Sequence, residues 1–252
     1  MPELSIITVL RNSSHVFKKF ITRIVENAAV DTELIFVDNH SRSDVIDYYK
    51  YIIEKIIPMG VNYFPRITYK FIYNDKNWLF SRATNQGLRG ATGKYLVILN
   101  PDVYVTSGWD VQSIKYLSAD TSIGLIGYKL VKLNGVIEHA GKLDSSGDHR
   151  GRGELDSDDL YNIPEIMHNV TFGAAMFSKD LYNIVGELNE ERYPHFVSDV
   201  EYCERVKSAG YSIWYVPVRL EHCYGKSSRP YLFDDLPDEL LENGKPARKI
   251  WQ

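Results

Sequence analysis

The stretch Tyr95-Leu96-Val97-Ile98-Leu99-Asn100-Pro101-Asp102 is an apolar run closed by a polar Asn-Pro-Asp cluster. The run reads as a strand buried on both faces, and Pro101 stops it. Asp102 then lies just beyond the carboxyl end of a central strand, where open α/β sheets deliver their chemistry. A carboxylate there can hold a divalent cation, and the cation can hold a diphosphate. The plainer reading of the same residues is an Asn-Pro-Asp turn whose carboxylate caps the next segment.

The residues before this stretch alternate regularly. Leu4 to Leu10 is apolar and β-branched, and Ser13 or Ser14 can cap a helix with Val16, Phe17, Phe20, Ile21, Ile24 and Val25 on one face. A second strand, Glu33 to Val37, ends in Asp38-Asn39. Ser43 can cap a second helix carrying Val45, Ile46, Tyr49, Ile52, Ile53 and Ile56. A third strand spans Ile67 to Tyr73, and a helix from about Phe80 to Arg89 leads to the strand that ends at Asn100. This β-α-β-α-β-α-β order with short links predicts a parallel sheet with right-handed crossovers.

The pattern changes after about residue 120. Short strands near 123–126, 128–132 and 136–138 suggest a mixed sheet. The Gly-, Ser-, Asp- and Arg-rich stretch from Gly141 to Asp159 reads as an exposed, mobile loop. Order returns at Val170 to Phe177. A helix over about Asp199 to Ala209 can stop at Gly210, and a strand at Ile213 to Val216 follows. The tail from Ser227 is polar and proline-dotted. The fold class is therefore α/β, with a Rossmann-like, mainly parallel half over about residues 1–105 and a mixed half over about 106–226. No linker divides the two, so one domain over 1–226 is expected, followed by a tail over 227–252.

The chain has 252 residues, enough for an extensive core, with a net charge of -4 that argues against wholesale capture of nucleic acid. Tyrosine is frequent at 18, and most of these rings are expected to be packing residues. Two cysteines, Cys203 and Cys223, are too few for a disulfide framework or a zinc cluster. Met1 leads directly into a strand without the features of a signal peptide, and no run reaches the length of a membrane span. A cytoplasmic protein is expected, with a peripheral membrane contact left open.

Several residues stand out chemically. Asp38 closes the second strand, where a carboxylate can accept hydrogen bonds from a base or ribose, or start an Asx-turn. Gly87, Gly90 and Gly93 follow a helix and precede a strand. That is the reverse of the dinucleotide fingerprint, so they read as a helix stop and a tight turn. Ser198 and Glu201 have the spacing of a capping box, which leaves Asp199 in the first helical turn as a candidate general base. His222 follows a strand-like run, and a neutral imidazole there can ligate a metal. His139, His168 and His195 carry no comparable context.

Taken together, these segments resemble the inverting nucleotide-sugar transferases of glycosyltransferase family 2, with the GT-A fold. The resemblance covers roughly residues 4–226. It rests on Ile6-Ile7-Thr8-Val9, on Val37-Asp38-Asn39 with Ser41 and Asp44, and on Asn85-Gln86-Gly87. It continues through Gly93-Lys94-Tyr95, Leu99-Asn100-Pro101-Asp102, Gly173-Ala174-Ala175-Met176, Val185-Gly186-Glu187-Leu188, Ser198 to Arg205 and Ala209-Gly210-Tyr211. It implies a nucleoside-diphosphate sugar as donor, a glycan or lipid-linked saccharide as acceptor, and Mg²⁺ or Mn²⁺ as cofactor. By the same resemblance Thr8, Asp38, Asn85, Asn100 and Asp102 contact the donor. Asp102 and His222 hold the metal, and Asp199 is the catalytic base. Asn100 stands where the D-x-D motif has its first Asp. Ser198 and Glu201 replace two of the family's acidic residues around the base. Arg150 and Arg152, in the loop after Gly141, could reach phosphate if that loop closes over the donor; the plainer reading is that they are solvated, as exposed loop arginines usually are.

Two other classes compete. A sugar-phosphate nucleotidyltransferase should carry a glycine-rich basic signature after the first strand, where this chain has Arg11-Asn12-Ser13-Ser14. A non-catalytic carbohydrate-binding protein of the same fold would not need both carboxylates.

Overall fold

The chain is described here by a computed structural model that covers residues 1–57, 65–144, 148–157, 161–223, 236, 238–242 and 245–246. Four strands, β1 (Leu4–Leu10), β2 (Thr32–Asp38), β3 (Ile67–Tyr73) and β4 (Tyr95–Leu99), alternate with helices α1 (Ser14–Asn27), α2 (Ser43–Ile56) and α3 (Leu79–Gly90). They pair in parallel in the order β3-β2-β1-β4. This is the parallel first half expected from the alternation of strands and helices. Every residue of β2 and β4 is buried, because helices cover both faces, and Leu34 to Val37 and Tyr95 to Leu99 accordingly read as unbroken apolar runs. The edge strand β3 is half-exposed and carries Thr68 and Lys70, which suits an unpaired edge.

The second half adds β5 (Val103–Tyr104), α4 (Trp109–Ala119), β6 (Ile123–Lys132), β7 (Ile137–His139), β8 (Glu165–Ile166), β9 (Ala174–Ser178), α5 (Lys179–Val185), α6 (Ser198–Ser208) and β10 (Ser212–His222). The sheet continues β4-β9-β6-β10-β5, with β9 antiparallel to both neighbours and β6 parallel to β10. Three short strands expected near 123–138 are two, because β6 runs unbroken through Gly127. The Cβ that Gly127 lacks would lie 2.4 Å from Val170, so glycine here makes room for a neighbour. Helices α4 and α5 have no counterpart in the sequence reading. α4 shows little amphipathic patterning, since polar Asp110 and Ser113 are buried on it beside Trp109.

Helices α1, α2 and α4 enclose one core with alternate residues of the strands, such as Leu4, Ile6, Val97 and Leu99. Helices α3, α5 and α6 enclose another with Ile7, Leu96 and Ile98. The period-two alternation of β1 and β4 feeds both cores. Among the described residues no helix is long and apolar enough to cross a membrane. The tail from Ser227 lies largely outside the described residues; in its described part, Leu240 packs against Leu79.

The cap expectations need correction. Ser13 stands at the N-cap of α1, yet its hydroxyl donates back to the Arg11 carbonyl at 3.1 Å. Arg42, not Ser43, is the N-cap of α2. Gly87 lies inside α3 rather than at its end, and its missing Cβ would fall 2.4 Å from Ile7 Cγ2. Glycine there lets α3 press onto β1. Gly90 sits in ordinary space, 3.5 Å from the nearest atom of Lys70. Gly87→Ala is therefore expected to destabilise the fold by about 1–3 kcal/mol through overpacking. Gly90→Ala should leave stability unchanged or raise it by up to about 1 kcal/mol. Urea unfolding of both variants checks the contrast, and equal losses would contradict this packing of α3.

Candidate active site

The Asn-Pro-Asp stretch forms a tight turn. Asn100 N–H donates to the Gly173 carbonyl at 2.9 Å, and Val103 N–H donates to the Asn100 carbonyl at 3.0 Å. The turn delivers the chain into β5, which pairs with the end of β10 so that His222 faces Val103. Cys223 N–H also donates to the Asp102 carbonyl at 2.8 Å. These backbone bonds bring His222 Nε2 to 3.8 Å from Asp102 Oδ2. Asp102 is buried and His222 half-buried, and desolvation lowers the imidazole pKa against the opposing pull of Asp102. A neutral imidazole beside a carboxylate is a usable metal donor pair.

No group of three or more metal-ligating side chains occurs among the described residues. Two protein donors still fit an octahedral divalent cation whose other ligands are phosphate oxygens and water. The donor set therefore suits a metal that arrives with a diphosphate better than one caged by the protein.

Asn100, Asp102 and His222 share a cleft of about 330 Å³ with Phe80, Thr171, Gly173, His195 and Asp199. That volume is within the range of small-ligand sites. Asp199 opens α6, but the capping box expected around it is absent. Val197 is the N-cap, in a left-handed conformation with φ 64, and no side chain caps the helix. The Ser198 hydroxyl donates to the His195 carbonyl at 3.3 Å, and Glu201 is held by Arg205 at 2.7 Å. Arg205 fixes Glu201 one turn along the helix, away from any cap. Asp199 Oδ1 accepts from Val200 N–H at 2.9 Å. Burial raises the Asp199 carboxyl above its ordinary value, opposed by the Val200 and Phe172 amides and by the Lys142 ammonium.

Thr8, Asp38 and Asn85 lie outside this cleft. Asp38 ends β2, two strands from β4, or about 10 Å across the sheet. One of its oxygens accepts from Ser41 N–H at 3.2 Å, which is the turn reading. Its Oδ1 and Thr8 Oγ1 are buried with no hydrogen-bond partner among the described residues. Burial raises the Asp38 carboxyl, with Ser41 opposing. Around it, Arg11 donates to the carbonyls of Asn39 and His40, and Asn39 Oδ1 accepts from Trp78 N–H. Asn12, His40 and Leu79 all take positive φ at this edge, and such strain gathers at binding sites. The Asn85 amide is fully buried and bonds both backbone groups of Leu188 and the Glu190 carboxylate.

The loop after Gly141 is not the free flap expected. Its described residues pair back on the fold, with Ala140 N–H to the Arg150 carbonyl, Arg150 N–H to the Gly141 carbonyl and Gly153 N–H to the Ile137 carbonyl. Arg150 bonds Glu165, and Arg152 lies 3.2 Å from Glu138. Both guanidiniums expected to reach phosphate are thus already matched with carboxylates. Residues 145–147 and 158–160 of that stretch lie outside the described residues. His139 is buried with its Nδ1 3.1 Å from His149 Nδ1, and His168 sits 3.1 Å from Glu204. Cys203 is buried, and its thiol is pushed up to about 12, so it is not a reactive thiolate. No local pattern singles out His195, Phe80 or Thr171, because their meeting depends on segments distant in the chain.

The family model for glycosyl transferase family 2 matches residues 5–184. The protein y4gI of Sinorhizobium fredii is 25% identical over 94% of this chain, and the chain spans about a quarter (26%) of that curated relative's length. Among solved structures, the mannosyltransferase PcManGT from Pyrobaculum calidifontis, in complex with GDP-Man and Mn²⁺, superposes with a TM-score of 0.64 at 16% identity. That match covers 90% of this chain and 59% of that one. GalNAc-T7 with UDP, GalNAc and Mn²⁺ gives 0.67 at 15% identity, covering 88% and 44%. S. aureus TarS 1–349 in complex with UDP-GlcNAc gives 0.58 at 14%, covering 87% and 58%. These likenesses establish the GT-A fold.

An acid with a raised folded-state pKa holds its proton more tightly folded than unfolded. Stability therefore falls as pH rises from the unfolded value near 3.8 through the folded value, and the loss is complete above it. Asp199→Asn removes the ionisation and should raise the urea midpoint at pH 7.5. The gain should shrink as pH falls toward 3.8. A variant less stable than the parent at pH 7.5 would contradict the burial argument.

Proposed function

The chain belongs to glycosyl transferase family 2, and on that premise we propose that it moves a sugar from a nucleoside-diphosphate sugar to a hydroxyl of a glycan or lipid-linked saccharide, inverting the anomeric carbon. The observation that carries this reading is a single cleft lined by Asp102 and His222, which suit a metal diphosphate, and by Asp199, a carboxylate with a raised pKa.

Roles follow from position. Asp38 and Thr8 offer unused buried oxygens to the nucleoside, about 10 Å from the diphosphate side. Asn100 adds a hydrogen bond at the donor end. Asn85 supports that side from behind by holding Leu188 and Glu190. Asp102 and His222 would hold Mg²⁺ or Mn²⁺, which when bound offsets charge on the departing diphosphate. Asp199 takes the proton from the acceptor hydroxyl as its oxygen attacks the anomeric carbon, and the bond to the diphosphate breaks on the opposite face. A raised pKa brings Asp199 closer to the operating pH, which makes it a stronger base than an exposed carboxylate. Residues 1–226 are proposed to act as one unit, since one sheet runs through both halves.

Asp199→Asn is expected to lower kcat by about 10²–10⁴-fold with donor KM little changed. A fall in donor affinity matching the fall in rate would remove the base assignment. Proton NMR of the first-formed product should show the anomeric configuration opposite to that of the donor. Retained configuration would overturn the single-displacement reading.

A further inference from the structure

His195 is a cleft residue that the proposed chemistry does not use. The segment before it is pinned to α3, where the Ser81 hydroxyl bonds the Tyr193 carbonyl and Ser81 N–H donates to the Pro194 carbonyl at 3.0 Å. Its own carbonyl accepts from Ser198, next to Asp199. Phe80 and Phe196 stand edge-on to its ring, with centroids 6.3 Å and 4.4 Å away and interplanar angles of 89° and 82°. The ring is thus held by apolar neighbours on a fixed backbone. Its Nδ1 is sealed from solvent and has no hydrogen-bond partner among the described residues.

That sealing decides the tautomer. Burial lowers the pKa to about 4, so the imidazole is neutral at neutral pH and carries one N–H. An orphaned buried N–H is rarer in proteins than an under-satisfied acceptor. The lone pair therefore belongs on Nδ1, and the proton on Nε2, the nitrogen left to face the cleft.

We propose that His195 is a specificity-determining residue whose Nε2–H donates a hydrogen bond to a hydroxyl of a sugar bound in the cleft beside Asp199. The assignment rests on the transferase reading. Unlike a carboxylate, a neutral donor cannot compete with Asp199 for the reacting proton or bind the metal as an anion. It reads a hydroxyl oxygen and leaves the base alone. A site built around such a donor discriminates against the deoxy analogue that lacks the oxygen.

The test compares the whole chain with His195→Phe, His195→Gln and His195→Asn in steady-state transfer, with donor and acceptor varied in separate series. Gln places an N–H near the position of Nε2, and Asn places one near Nδ1. Loss of one neutral hydrogen bond should raise the KM of one sugar substrate by about 2–10-fold in His195→Phe and His195→Asn. His195→Gln should restore most of it, and kcat should change by less than about twofold. A rise confined to donor KM places the hydroxyl on the donor sugar; a rise confined to acceptor KM places it on the acceptor. Unchanged KM values for both substrates in His195→Phe, or equal defects in Gln and Phe with a matched loss of thermal stability, would overturn the proposal. Absence of transfer by the parent chain across a donor panel would instead remove the transferase reading, so the two failures are distinct.

Discussion

Three residues, Asn100-Pro101-Asp102, join the middle of the sheet to its far edge, and the site depends on that short link. Four residue steps from Leu99 to Val103 reach at most about 14 Å. Laid flat, the path β4-β9-β6-β10-β5 would separate its ends by about 19 Å. The sheet must therefore curl until the end of β10 meets β5. That closure carries His222 to Asp102 and forms one wall of the cleft. Asp102 is thus held by main-chain bonds on both sides: the turn at Asn100 and the amide of Cys223.

Backbone strain gathers around the same rim. Among the described residues, four of the five non-glycine residues with positive φ are Asn12, His40, Leu79 and Val197. The first three lie near the Asp38 end of β2, and Val197 sets the start of α6. Asn and His tolerate this conformation, whereas Leu and the β-branched Val do so only when their surroundings enforce it. A buried carboxylate with a raised pKa and unused buried oxygens belong to the same pattern. The rim gives up stability where binding and proton transfer are proposed to occur.

Much of this organisation was legible in the residues. The first four strands and three helices follow from apolar patterning, as continuous runs where helices cover both faces of a strand and as helical spacing where one face of a helix is buried. Asp102, Asp199 and His222 were each marked by position at the end of a strand or the start of a helix, and the fold brings all three into one cleft. What escaped the sequence has physical causes. α4 buries Asp110, whose carboxylate bonds the Ala29 amide at 2.6 Å, so its polar residues face inward and blur the pattern. The loop after Gly141 has the composition of a free loop, yet its arginines are matched by Glu138 and Glu165 from strands before and after it. Ser198 and Glu201 have capping-box spacing, but Arg205 competes for Glu201, and no local pattern foretells a left-handed valine. His195 gains meaning only from Phe80, more than a hundred residues earlier in the chain.

The most direct test is calorimetric titration of the full chain with UDP, GDP and dTDP, each with and without Mn²⁺, repeated on Asp102→Ala. The expected result is binding of one nucleoside diphosphate that strengthens with Mn²⁺, with the metal-dependent part lost in Asp102→Ala. Metal-independent binding that Asp102→Ala leaves intact would contradict the proposed metal diphosphate site at the center of this account. No binding by any of the three would contradict the proposed site as a whole.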